Sequence, residues 1–294
     1  MGWGLFAIFC WGTLAAAAGS ALEETHPAWV LGGAFSAAAL VFAFLPRLFG
    51  LEGIAEPREA GEKWRGRLLG LWGLFFFHAF YFEAIRRAPI VEATLINYLW
   101  PLFIVVLAWR VLREPFRPAI AAGAILGAGG AALVIGGQGA AFEARHLSGY
   151  VLSFGSALAW SSYTVLLRKW GGGREFLLPA SVGSMLLSAI WLIAAGLPEA
   201  PSAPAWGAIA YLGVVAVGMA ILAWERAVAG GQVATLGAMA YLAPFLSTFF
   251  LWLILGKPIG VATIAGMALI VAGGAAAAQK RKAGRGPVRW MRRW

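Results

Sequence analysis

Ten apolar runs of roughly 17–25 residues each fill this chain, and no other feature limits its fold so severely, because a run of that length crosses the hydrocarbon core of a bilayer as a helix. They fall at about Trp3–Leu22, Ala28–Leu45, Gly66–Ile85, Ile90–Leu112 and Ala119–Gly136, then Leu147–Arg168, Leu178–Leu197, Ala205–Val228, Gln232–Leu255 and Ile259–Ala278. Pro27, Pro46, Pro89, Pro115, Pro118, Pro198, Pro204 and Pro258 sit in or beside the joints, where a residue that opens a helix but cannot continue one belongs. Lipid offers the backbone no water, so open spans must be helical. The expected fold is therefore all-α, a polytopic membrane protein of ten transmembrane helices. Only 12% of the 294 residues are charged and 61% are hydrophobic, whereas a soluble domain carries roughly a quarter charged. The first run lacks a basic leader and is long enough to span, so it is read as a retained helix and not a cleaved signal.

Lysine and arginine set the expected orientation. With a cytoplasmic N-terminus, the inner strips hold Arg47, Arg58, Lys63, Arg65 and Arg67, then Arg110, Arg113 and Arg117, then Arg168, Lys169 and Arg174, then Arg226, and finally the seven cations of the tail. The outer side keeps Arg86, Arg87, Arg145 and Lys257, so 19 of 23 basic residues lie inside. That bias places both termini in the cytoplasm. The net charge of +10 is assigned to these strips and to anionic lipid, not to nucleic acid. The tail ending Trp290-Met291-Arg292-Arg293-Trp294 suits the inner leaflet surface.

An internal repeat divides the chain. Tyr98-Leu99-Trp100-Pro101 matches Tyr241-Leu242-Ala243-Pro244, and thirteen residues after each proline stand Glu114-Pro115 and Lys257-Pro258. At the same offset Gly123 matches Gly266 and Gly130 matches Gly273, while Ala93-Thr94-Leu95 matches Ala234-Thr235-Leu236 with a two-residue slip. Trp11 and Trp160 are plausible partners. The expected units are residues 1–136, residues 147–278 and a basic tail at 279–294. Five spans is an odd number, so the second unit enters the membrane from the opposite side. Inverted repeats of this kind are typical of secondary transporters, with substrate bound near the midplane between the halves.

Rival chemistries fare worse. The chain has no aspartate, which removes a Ser-His-Asp triad, and it has no Gly-x-Ser-x-Gly elbow. Cys10 is the only cysteine, and His26 and His146 lie in joints without ligand spacing, so no metal or other cofactor is expected. No repeated filter motif suggests a channel. An enzyme is not expected.

Two five-helix repeats, each with a midspan proline, a short charged-Pro joint and a Gly-rich helix, resemble the EamA-type drug/metabolite transporter superfamily over essentially the whole chain. Many members carry an acidic residue before the midspan proline, where this chain has Trp100 and Ala243. Asn97-Tyr98-Leu99-Trp100-Pro101 instead resembles the branch of aromatic amino acid exporters (YddG-like). The resemblance implies export of aromatic and other neutral amino acids from the bacterial cytoplasm across the inner membrane by alternating access, with other small metabolites or cationic drugs as the alternative cargo. The partners it implies are an amino acid and membrane lipid, with no oligomer required.

Several residues are candidates to carry transport. His78 lies near the middle of the third span and reads either as a substrate ligand or proton carrier, or as one end of a neutral interhelical hydrogen bond. Pro101 and Pro244 each leave a carbonyl without its helical donor, which could receive a substrate ammonium or merely shape the bundle. Asn97, on the face of Pro101, could bind substrate or a neighbouring helix. Trp11, Tyr81, Tyr98, Trp100, Trp160, Tyr163 and Tyr241 could line an aromatic pocket, which suits flat apolar side chains and cationic amines. Ser161, Ser162 and Thr164 could contact substrate or bond back to their own helix. Glu83, Glu92 and Glu225 read as anchors near span ends. With no carboxylate evident at the midplane, facilitated diffusion stays open beside proton exchange.

Overall fold

The computed structural model describes residues 1–23, 25–48, 60–136, 141–170, 174–256 and 260–278. The basic tail, the middle of the Pro46–Arg67 strip and the Lys257-Pro258 joint lie outside these described residues. Everything described is helix or short connection, with no strand. Eight helices are long and apolar enough to cross a membrane; the first and last, Gly2–Glu23 and Val261–Ala278, complete ten.

In chain order these are α1 (Gly2–Glu23), α2 (Pro27–Leu48), α3 (Ala60–Leu71, continued through Trp72–Phe76 to Phe77–Arg87), α4 (Ile90–Asn97 and Trp100–Val111) and α5 (Pro118–Gly136). The second set is α6 (Leu147–Trp170), α7 (Arg174–Ala194), α8 (Ala203–Tyr211, continued through Leu212–Met219 to Ala220–Gly230), α9 (Val233–Met239 and Leu242–Leu255) and α10 (Val261–Ala278).

The two sets share their irregularities. α3 widens to a π-helix at Trp72–Phe76 and α8 does so at Leu212–Met219. α4 breaks at Tyr98–Leu99 and α9 at Ala240–Tyr241, each just before its proline. Packing obeys the same exchange. α1 packs on α8 and α9 as α6 packs on α3 and α4; α2 packs on α8 as α7 packs on α3; α2 meets α7, α4 meets α9 and α5 meets α10. Chain direction is reversed between the sets. α1 starts where Arg226 lies over the Trp3 ring, 5.5 Å from its centroid, whereas α6 starts at the other end, where His146 bonds the Arg87 carbonyl.

Close approach of α5 and α10 explains their glycines. A β-carbon on Gly123 would lie 2.6 Å from the Gly273 carbonyl oxygen, and one on Gly266 would lie 2.6 Å from that of Gly130. Small residues let backbones meet in lipid, where packing drives association.

The charged strips gather at opposite ends. Arg117 donates to the Gln232 carboxamide at 2.9 Å and Arg168 to the Ala229 carbonyl at 2.6 Å, so these cations share the end at which α1 starts. At the other end Glu83 pairs with Arg87 at 2.8 Å. There His26 stacks edge-on against Trp191, and burial, with a smaller push from the Arg86 charge, lowers its imidazole pKa.

Candidate functional site

Four tryptophans meet where the two halves join. Trp11 of α1, Trp100 of α4, Trp160 of α6 and Trp224 of α8 are all mutual neighbours, with ring centroids 5.3 Å apart for Trp11–Trp224, 5.7 Å for Trp11–Trp160 and 6.5 Å for Trp160–Trp224. Trp100 stands edge-on to the other three. Edge-to-face geometry is the favoured arrangement for such rings. Each half supplies two of the four, so neither half forms the cluster alone.

The local backbone positions these rings. The Trp11 indole N–H donates at 2.9 Å to the carbonyl of Ala216, within the π segment of α8. Trp224 donates to the Thr164 hydroxyl at 3.1 Å. Tyr163 lies 5.3 Å from Trp160 and donates to the Glu225 carboxylate. The π segment of α3 brings Gly73 against the Tyr163 ring so closely that a β-carbon would sit 2.2 Å away. Phe77 covers Trp160 from α3 at 5.2 Å.

His78 follows directly. Its ring packs on Phe77 at 4.7 Å and on Phe35 at 5.5 Å. Nδ1–H donates to the Leu74 carbonyl of its own helix at 2.6 Å. The bond is within α3, not between helices. Since a carbonyl only accepts, Nε2 is left as the acceptor of the imidazole.

The other candidates separate. Asn97 is buried and donates to Ser156 at 2.9 Å, and Ser156 passes the bond to the Phe77 carbonyl at 2.8 Å. Its amide thus bonds the neighbouring helix α6. Tyr81 bonds the Thr94 hydroxyl at 2.8 Å. Tyr241 is buried over Gly127 with Ala131, Val134 and Ile270, and Tyr98 packs against the same cluster. Both tyrosines therefore belong to the α5–α10 side, away from the tryptophans. Pro101 opens the second segment of α4. The carbonyl that Pro244 deprives of its donor, Ala240, accepts from Ala243 N–H at 3.0 Å, so it is not free for an ammonium. Ser161 and Ser162 bond back to Ala157 and Leu158 of their own helix.

Two carboxylates depart from the sequence reading. Glu225 and Glu92 are buried, at 1% and 2% exposure, and are not surface anchors. Glu92 accepts from Ala141 N–H at 2.7 Å. Glu225 sits one residue beyond Trp224, so a carboxylate does lie immediately behind the ring cluster. Sequence reasoning missed Trp224 and read Glu225 as an anchor near a span end. The usable signal was the alignment of Trp224-Glu225 with Phe82-Glu83, which marks a shared station in the two halves.

The segments of α4 and α9 meet unequally at the two ends. Trp100–Val111 packs closely on Val233–Met239, where a β-carbon on Gly237 would fall 2.7 Å from Ile104. The inverted pair, Ile90–Asn97 and Leu242–Leu255, makes no comparable contact. The α4 and α9 segments thus pack more closely at the end bearing Arg117 than at the other.

Comparisons with known proteins bear on this site. Residues 1–136 and 147–277 each match the EamA-like transporter family. The chain is 35% identical over 283 residues to the aromatic amino acid exporter YddG of Ancylobacter novellus, covering 93% of this chain and 95% of that one. It is 26% identical to the uncharacterized transporter YvbV of Bacillus subtilis, over 79% of this chain and 75% of that protein. A solved structure 32% identical in sequence superposes with a TM-score of 0.85, covering 94% of both chains.

Proposed function

The chain belongs to the EamA-like transporter family, and on that premise we propose that it exports aromatic and other neutral amino acids from the cytoplasm through the tryptophan-walled centre between its halves. The observation that carries this reading is the four-tryptophan cluster built from both halves. Flat rings recognise flat apolar side chains, and their faces attract an α-ammonium. The name of the Ancylobacter novellus relative supports the same substrate class.

The halves work by exchange of conformation. When the segments Trp100–Val111 and Val233–Met239 part and their inverted counterparts close, the same site faces the other side. The basic end is the cytoplasmic one, on the distribution of lysine and arginine. His78, which packs on Phe77 beside the tryptophan cluster, is the residue assigned to receive a substrate proton or to couple export to a proton gradient.

Reconstituted protein tests this. Proteoliposomes loaded with labelled tryptophan should show saturable flux, competed by phenylalanine and not by charged amino acids. A dependence on a pH gradient that disappears in His78→Gln assigns the proton to His78; gradient-independent flux rejects coupling there. Non-saturable leakage, or flux indifferent to phenylalanine, rejects the aromatic site.

A further inference from the structure

Two of the four clustered tryptophans have their indole N–H groups committed, and two do not. Trp11 donates to the Ala216 carbonyl and Trp224 to the Thr164 hydroxyl. No acceptor among the described residues takes the N–H of Trp100 or Trp160, although the two residues are 6% and 3% exposed. Neither nitrogen is sealed from open space, as that of Trp109 is. A buried tryptophan ordinarily finds a partner for its N–H. A neighbouring pair without one points to an acceptor that arrives from outside the chain.

The repeat shows why Trp160 is left without a partner. Trp11 and Trp160 correspond, and α1 packs on the π segment of α8 as α6 packs on that of α3. Ala216 stands eight residues before Trp224, and Leu74 stands eight residues before Phe82, so the two carbonyls share one station. In α8 that carbonyl accepts from Trp11. In α3 it accepts from His78 Nδ1 at 2.6 Å. The second half has Ala220 where the first has His78, so no side chain of α8 competes with Trp11 in the same way.

The backbone beside Trp100 favours the same charge. α4 breaks at Tyr98–Leu99, and Trp100 opens the 12-residue segment Trp100–Val111. The first amides of a helix lack a helical acceptor and carry the positive end of its dipole. Broken membrane helices meet the anionic group of a substrate with such an end.

We propose that the indole N–H groups of Trp100 and Trp160 receive the α-carboxylate of the amino acid, and that His78 is a positioning residue that keeps the Trp160 donor free by occupying the Leu74 carbonyl. This rests on the reading of the tryptophan cluster as the substrate site and adds which atoms recognise which group. An indole N–H donates and a carboxylate accepts. The two rings stand 6.3 Å apart and 89° to each other, so one carboxylate, with an oxygen for each donor, bridges them. Selection of an amino acid over the corresponding amine then needs no cationic side chain.

Binding of labelled tryptophan and of labelled tryptamine, which is tryptophan without its carboxylate, tests this on the purified full chain. The native protein should prefer tryptophan. Trp160→Phe and Trp100→Phe each keep an aromatic ring and lose the N–H. Each should lower the preference about tenfold, the size of one hydrogen bond to a charged group, through weaker tryptophan binding and not through altered tryptamine binding. His78→Leu gives up the Leu74 carbonyl and should lower the preference as well, whereas His78→Gln retains an N–H for that carbonyl and should keep it. An equal loss of both ligands in the phenylalanine variants marks a wall and not a carboxylate site, and overturns the proposal. An unchanged preference overturns it too and leaves the transport reading standing. The expected preferences in a protein that moves no amino acid keep the assignment and overturn the transport reading. Should the phenylalanine variants not fold, His78→Leu against His78→Gln decides alone, and equal preferences in those two overturn the proposal.

Discussion

Trp160→Ala should reduce saturable tryptophan flux by about tenfold or more while leaving insertion and monodispersity intact. Trp160 touches Trp11, Trp100, Trp224, Phe77 and Tyr163, and each aromatic pair contributes roughly 0.5–1.5 kcal/mol beyond area burial. Its removal opens a wall of the site and loosens both halves together. Tyr163→Phe is the informative companion. It keeps the ring on Trp160 and deletes only the hydroxyl that bonds Glu225, so it should impair flux less than Trp160→Ala. Flux in proteoliposomes, compared at equal amounts of folded protein, measures both. Native kinetics in Trp160→Ala would take the tryptophan cluster out of the transport path.

The largest effect on stability is expected at the α5–α10 contact. Gly273→Val should lower the melting temperature in detergent sharply or abolish recovery of folded protein. A β-carbon on Gly273 meets the Gly123 carbonyl oxygen at 2.6 Å and the Gly127 amide nitrogen at 3.0 Å. These are backbone atoms, so no rotamer relieves the clash and the helices must separate. Ordinary overpacking costs roughly 1–3 kcal/mol, and this case lies at or above the upper end. Gly129→Ala is the control, because nothing lies within 4 Å of its β-carbon; it should melt as the native protein does. Equal melting of Gly273→Val and Gly129→Ala would show that the two helices are not packed as described.

What the sequence made legible was whatever repeats or must obey the bilayer. Span lengths, the prolines of the joints and the offset between the Tyr-Leu-x-Pro motifs were enough to place all ten helices. Trp11 and Trp160 were recognisable as partners because the halves correspond. Asn97 was not resolvable, since its partner Ser156 lies 59 residues away and only the fold brings the two together. Tyr241 and Trp160 look alike in sequence, yet one faces α5 and α10 while the other faces the centre. A membrane helix is apolar all round, so its sequence carries little sign of which face turns inward. Trp224 escaped because the first half has Phe82 at the equivalent station, not a second tryptophan. Glu225 was misplaced because its burial depends on Tyr163 of α6, 62 residues away in sequence, which only the fold brings to it.

Sidedness of the two equivalent joints is the measurement closest to the central claim, that one five-helix unit is used twice in opposite senses. With Cys10 replaced by serine, His26→Cys reports the joint after α1 and Gly172→Cys the joint after α6. In intact cells a membrane-impermeant thiol reagent should label position 26 and should reach position 172 only after permeabilisation. If both label from the same side, the second unit does not enter the membrane inverted, and a site shared between exchanging halves is contradicted.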